Sequence, residues 1–94
     1  MGELRSKVRY IIHRYINNEL VDDEFKEQME RVIDEFEGGV PQNLLYQDIG
    51  LIVLEREQNV PTMSDKFRNI WRLLDQVEPQ IKEALENWKK SMSK

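Results

Sequence analysis

The segment from Val40 to Val60 constrains this chain more than any other, because it alone is apolar on more than one face. Pro41 suits the first turn of a helix, where its missing N–H has no partner to lose. Leu44, Leu45, Asp48, Ile49, Ile52 and Val53 then recur at i, i+1, i+4, i+5, i+8 and i+9, a helical stripe. Tyr46, Leu51 and Leu54 fall off that stripe and widen the apolar surface until it nearly encircles the axis. A helix apolar all round is a buried one. The segment is therefore expected to be a central helix, with neighbours on two or three sides. Gly50 in its interior costs about 1 kcal/mol relative to alanine. Close approach of a packed neighbour is the expected reason, and a hinge is the alternative.

The remaining chain supplies those neighbours. Leu4, Val8, Ile11, Ile12, Tyr15 and Ile16 give an amphipathic helix over 3–17, with Asn17-Asn18 as its stop, since asparagine tolerates the left-handed conformation. Leu20 and Val21 are expected to tuck the connection onto the core. Asp22 or Asp23 can cap the second helix, whose buried face is Phe25, Met29, Val32, Ile33 and Phe36. Gly38-Gly39 closes it. Val60-Pro61 ends the central helix, because a residue before proline is pushed out of helical geometry. Thr62, with Asp65 three residues on, fits a capping box, and Ser64 is the rival cap. Phe67, Ile70, Trp71, Leu74 and Val77 then mark a buried face whose phase continues through Ile81, Ala84, Leu85, Trp88 and Met92 across Pro79. The survival of that phase predicts one long last helix kinked at Pro79, or two nearly collinear pieces. The expected fold is all-α: a four-helix antiparallel bundle with short loops, forming a single domain over residues 1–94.

Composition excludes several functions. Without cysteine there is no disulfide framework, zinc-thiolate site or thiol nucleophile. One histidine, His13, leaves no metal-ligating set and no Glu-x-x-His pair of the di-iron bundle kind. No nucleophile, base and orienting group recur at recognisable spacing, so an enzyme is not expected, nor a cofactor. The start, Met1-Gly2-Glu3-Leu4-Arg5, lacks the apolar core of a signal peptide. The longest apolar run, Leu51 to Leu54, is far shorter than the roughly 20 residues of a membrane span. The expectation is a cytoplasmic protein without membrane contact.

Charge is concentrated rather than spread. Residues 19–40 hold nine acids against two bases, whereas residues 61–94 hold five acids against seven bases. The outer face of the second helix collects Glu24, Glu27, Glu30, Asp34, Glu35 and Glu37 opposite its apolar stripe. Such a face is either simply solvated or a docking surface for a basic partner; acid–base chemistry would need the carboxylates to converge in a pocket. The same face argues against nucleic acid, since a helix-turn-helix reading would set these carboxylates against phosphates. Trp71 and Trp88 lie on the apolar stripe as core residues, with Trp88 the alternative anchor of an interface.

The run Ile12-His13-Arg14-Tyr15-Ile16-Asn17-Asn18-Glu19-Leu20-Val21-Asp22-Asp23-Glu24-Phe25 resembles the opening of the colicin D-type bacterial immunity proteins. Those proteins begin with a helix, a short polar turn and a second helix started by an acid and a phenylalanine. The resemblance covers about a quarter of the chain and implies a helical bundle that covers the active site of a basic toxin with acidic residues. Carried onto this sequence, the partner-binding residues are Asp22, Asp23, Glu24, Glu27, Glu30, Asp34 and Glu35. The expected function is thus a non-enzymatic protein-binding module that neutralises a basic toxin or nuclease, as a monomer or weak homodimer. The alternative is a self-associating structural or regulatory protein that uses its C-terminal helix as the interface.

Overall fold

A computed structural model of the chain describes residues 2–92. They form five helices: α1 (Gly2–Ile16), α2 (Asp22–Phe36), α3 (Gln42–Asn59), α4 (Ser64–Val77) and α5 (Gln80–Met92), with a single 3₁₀ turn, Pro61–Met63, ahead of α4. The buried face of α1 is Leu4, Val8, Ile11, Ile12, Tyr15 and Ile16, as its periodicity predicts. Asn18 takes the left-handed conformation at φ 63°. The following N–H, of Glu19, returns to the Arg14 carbonyl at 2.8 Å, which caps the end of α1. The chain then reverses. The Tyr15 and Phe25 rings meet at 5.0 Å at one end, and Lys7 reaches Glu35 near the other, so α1 and α2 are antiparallel. Gly38, at φ 90°, makes the next reversal into α3.

The central helix is buried as expected at Leu45, Ile49, Ile52 and Val53, and also at Tyr46. Leu44 departs from the expectation and is 46% exposed: it lies on the outer side of the first turn of α3, while Leu45 beside it is fully buried. Asp48 is 9% exposed and inside the packing. Arg5 of α1 answers it, Nη2 donating to Oδ1 at 3.1 Å, and this hydrogen bond and the carboxylate charge push the Arg5 pKa up. Gly50 is a site of close approach: a Cβ there would lie 3.2 Å from the Leu85 Cβ and 3.6 Å from the Ile81 carbonyl oxygen. Helix α5 crosses α3 at that glycine.

The long last helix is not what forms. Glu78 is extended at φ −156° and ψ 97°, which separates α4 from α5 and makes five helices where four were expected. Nor are the two pieces collinear. Ser64 and Arg68, at the start of α4, line the same groove as Lys89, near the end of α5, so α5 folds back along α4. The continuous apolar phase across Pro79 reflects two helices burying faces in one core, not one rod. Neither Thr62 nor Ser64 caps α4 through its side chain; the chain enters through the 3₁₀ turn with Met63 at the cap. Neither Asp22 nor Asp23 is the α2 cap either, since Val21 occupies it. The core joins all five helices, with Phe25, Met29, Phe67, Ile70, Leu74 and Ile81 among its buried side chains.

Candidate functional site

The seven acids singled out from sequence all lie in α2, and the fold divides them into two groups. Three have structural work. Tyr15 donates to Asp22 Oδ1 at 2.7 Å, Asn69 Nδ2 donates to the Tyr15 hydroxyl at 3.0 Å, and Arg72 Nη2 donates to Asp22 Oδ2 at 3.4 Å. Asp22 is thereby the acid that ties the start of α2 to both α1 and α4. Glu24 turns back to accept the Val21 backbone N–H at 3.0 Å, which satisfies an otherwise free donor at the helix start. Glu35 pairs with Lys7 across the α1–α2 seam, and that hydrogen bond pushes the Lys7 pKa up.

The other four, Asp23, Glu27, Glu30 and Asp34, recur at i, i+4, i+7 and i+11, the spacing of one helix face. All four are exposed. Asp23 has Lys26 at 3.7 Å and Glu27 accepts from Arg31 at 2.6 Å, both pairs within α2. Glu30 and Asp34 make no hydrogen bond or ion pair among the described residues. Lys26 turns to Gln76 of α4 on one flank of this stripe, whereas Gln28, Arg31 and Glu35 line the α1 side, so the stripe faces outward between two packed seams. It is solvent-exposed. Its carboxylates do not converge, and no group of three or more His, Cys, Asp or Glu able to hold a metal occurs among the described residues.

The contacts that sort the seven were not readable from sequence, because Asn69 and Arg72 stand some fifty residues from Asp22. The one available signal is helical spacing, which separates Asp23, Glu27, Glu30 and Asp34 from the rest. His13 sits on the surface with its Nε2 3.0 Å from the Asn17 amide nitrogen. Trp71 is half-buried and its indole N–H donates to Glu57 at 3.2 Å. No helix among the described residues is long and apolar enough to cross a membrane. Set against protein-family models, curated proteins and solved structures, the chain has no match in any of the three comparisons.

Proposed function

We propose that the protein is a non-enzymatic binding module whose α2 stripe docks a basic protein partner, with neutralisation of a basic toxin or nuclease as its sharpest form. The observation that supports this is the stripe itself. Asp23, Glu27, Glu30 and Asp34 share one outward face, and two of them have no partner among the described residues. Like charges at i,i+3 and i,i+4 destabilise a helix by about 0.2–0.5 kcal/mol per pair. Solvation of the face tolerates that cost but gains nothing from it. A basic partner does, because the concentrated field speeds its encounter and fixes its orientation. Of the seven acids expected from sequence, these four are the contact set. Asp22, Glu24 and Glu35 position α2 rather than meet the partner.

Affinity capture from the source cells at low salt tests the reading, with the protein carrying Glu27→Lys, Glu30→Lys and Asp34→Lys as control. The expected result is a basic protein held by the unmodified chain, released steeply as salt rises, and absent from the control. Equal retention by both would remove α2 as the docking face. If the captured protein is a nuclease, adding the purified chain should suppress its activity.

A further inference from the structure

We infer that this protein pairs with a second copy of itself through a reciprocal contact, the Val21 turn of each copy seated in the α4–α5 groove of the other. This goes beyond the α2 reading and shares with it only Asp23. The groove, of about 450 Å³, has an apolar floor of Leu54, Trp71 and Leu85. Glu57 accepts the Trp71 indole N–H, which holds the ring in place before anything binds. Arg68, Lys82 and Lys89 stand at the rim with Glu86. Lys82 and Lys89 form no ion pair among the described residues, and Arg68 has only the solvent-exposed Asp65 at 3.6 Å. A second groove shares Leu54 and Lys89 and is lined by Trp88, so both tryptophans border the same end of the molecule. Interfaces draw their energy from such half-buried tryptophans beside cations.

The occupant that matches is an apolar side chain flanked by carboxylates, and the chain carries one. Val21, expected against the core with Leu20, is instead 64% exposed while Leu20 is buried, and it stands between Glu19 on one side and Asp22, Asp23 and Glu24 on the other. The Asp23 side chain is 93% exposed and that of Glu19 is 54% exposed; their only ion pairs among the described residues, to Lys26 at 3.7 Å and Arg14 at 3.9 Å, are long and surface-exposed, which leaves both within reach of the rim cations of another molecule. Val21 lies beside Lys66 and Asn69 on one side of α4, while Ser64 and Arg68 face the groove on the other. The first turns of α4 thus separate the two features, and a copy cannot fill its own groove. A two-fold axis passing near the start of α4 satisfies both contacts at once. That closed, isologous arrangement stops at a dimer instead of growing a filament. The α2 stripe is the poorer occupant, because none of the exposed large apolar side chains lies on it.

Sedimentation from micromolar to millimolar concentration, followed in parallel by NMR of the Trp71 indole N–H and the Val21 methyls, tests the pairing. The expected result is a concentration-dependent dimer in which both signals move together. Charge reversal of the turn (Glu19→Lys with Asp23→Lys) or of the groove (Lys82→Glu with Lys89→Glu) should each weaken dimerisation by about tenfold or more. An equimolar mixture of the two variants should restore it, since each reversed turn then meets a reversed groove and each natural turn a natural groove. All four positions are exposed, and circular dichroism will show the helices retained. A monomer at millimolar concentration overturns the inference. So does a dimer indifferent to both reversals, or one whose mixture shows no rescue. A dimer reported by Met92 while Trp71 and Val21 stay still overturns it as well.

Discussion

The α2 stripe and the α4–α5 groove carry charge of opposite sign and are built in opposite ways. Along α2, Asp23, Glu27, Glu30 and Asp34 stand on an exposed face with no exposed large apolar side chain among them. In the groove, the three cations Arg68, Lys82 and Lys89 outnumber the acids Glu57 and Glu86 around a floor of Leu54, Trp71 and Leu85. Exposed charge sets encounter rate and orientation but contributes little holding energy once water and salt have screened it. A concave floor with a pinned tryptophan holds what it meets, because it removes apolar surface from water. The two faces therefore suit two kinds of contact: rapid recognition of a strongly basic surface on α2, and retention of a small apolar side chain at the groove.

The largest expected effect addresses what both regions share. Helix α4 packs against α2 on one side and borders the groove on the other, and Phe67 is its fully buried anchor. Phe67→Ala should lower stability by about 3–5 kcal/mol in urea denaturation, with both faces lost together. A variant that kept one face intact would show the two halves to be independent. The next effect separates them. Gly50→Val should cost about 1–3 kcal/mol by overpacking against Leu85, and should disturb the Trp71 and Trp88 fluorescence while leaving the folded-state amide chemical shifts of α2 unchanged.

A smaller change sharpens the α2 side. Tyr15→Phe leaves Asp22 and Asn69 without the hydroxyl that joins them, and should lower stability by about 1–2 kcal/mol. Burial first, and then the hydrogen bond to Asp22, push the Tyr15 pKa up; burial and the nearby charge of Glu78 do the same for Tyr46. A phenol raised in the folded state stabilises fully below the unfolded value of about 10 and loses that contribution as pH climbs through the folded value. The denaturant midpoint should therefore fall as pH rises above about 10, and less so in the Phe variant. The smallest effect has the opposite sign. Glu30→Gln removes repulsion from Glu27 and Asp34 and should raise stability by a few tenths of a kcal/mol. A loss of stability instead would give the stripe a structural role and weaken its reading as a docking face.

Periodicity was enough to set the helical class and the buried face of α1, and residue type placed a left-handed stop at Asn17-Asn18 and favoured close approach over a hinge at Gly50. Each of these follows from interactions within a few residues. Helical spacing also marks the four-acid stripe, because which residues share a helix face depends on the chain's own geometry. The direction of the chain after Glu78 does not. An unbroken apolar phase through Pro79 is compatible with one rod or with a hairpin, and the choice falls to the α3 surface that α5 covers at Gly50. The same holds for Asp22, whose position in the sequence equals that of any acid at a helix start; only Tyr15, Asn69 and Arg72, brought in by tertiary packing, make it an anchor. Local spacing thus determined which faces exist, and the packing of distant helices decided which of them meet, because burying apolar area in a common core depends on topology that no short stretch encodes.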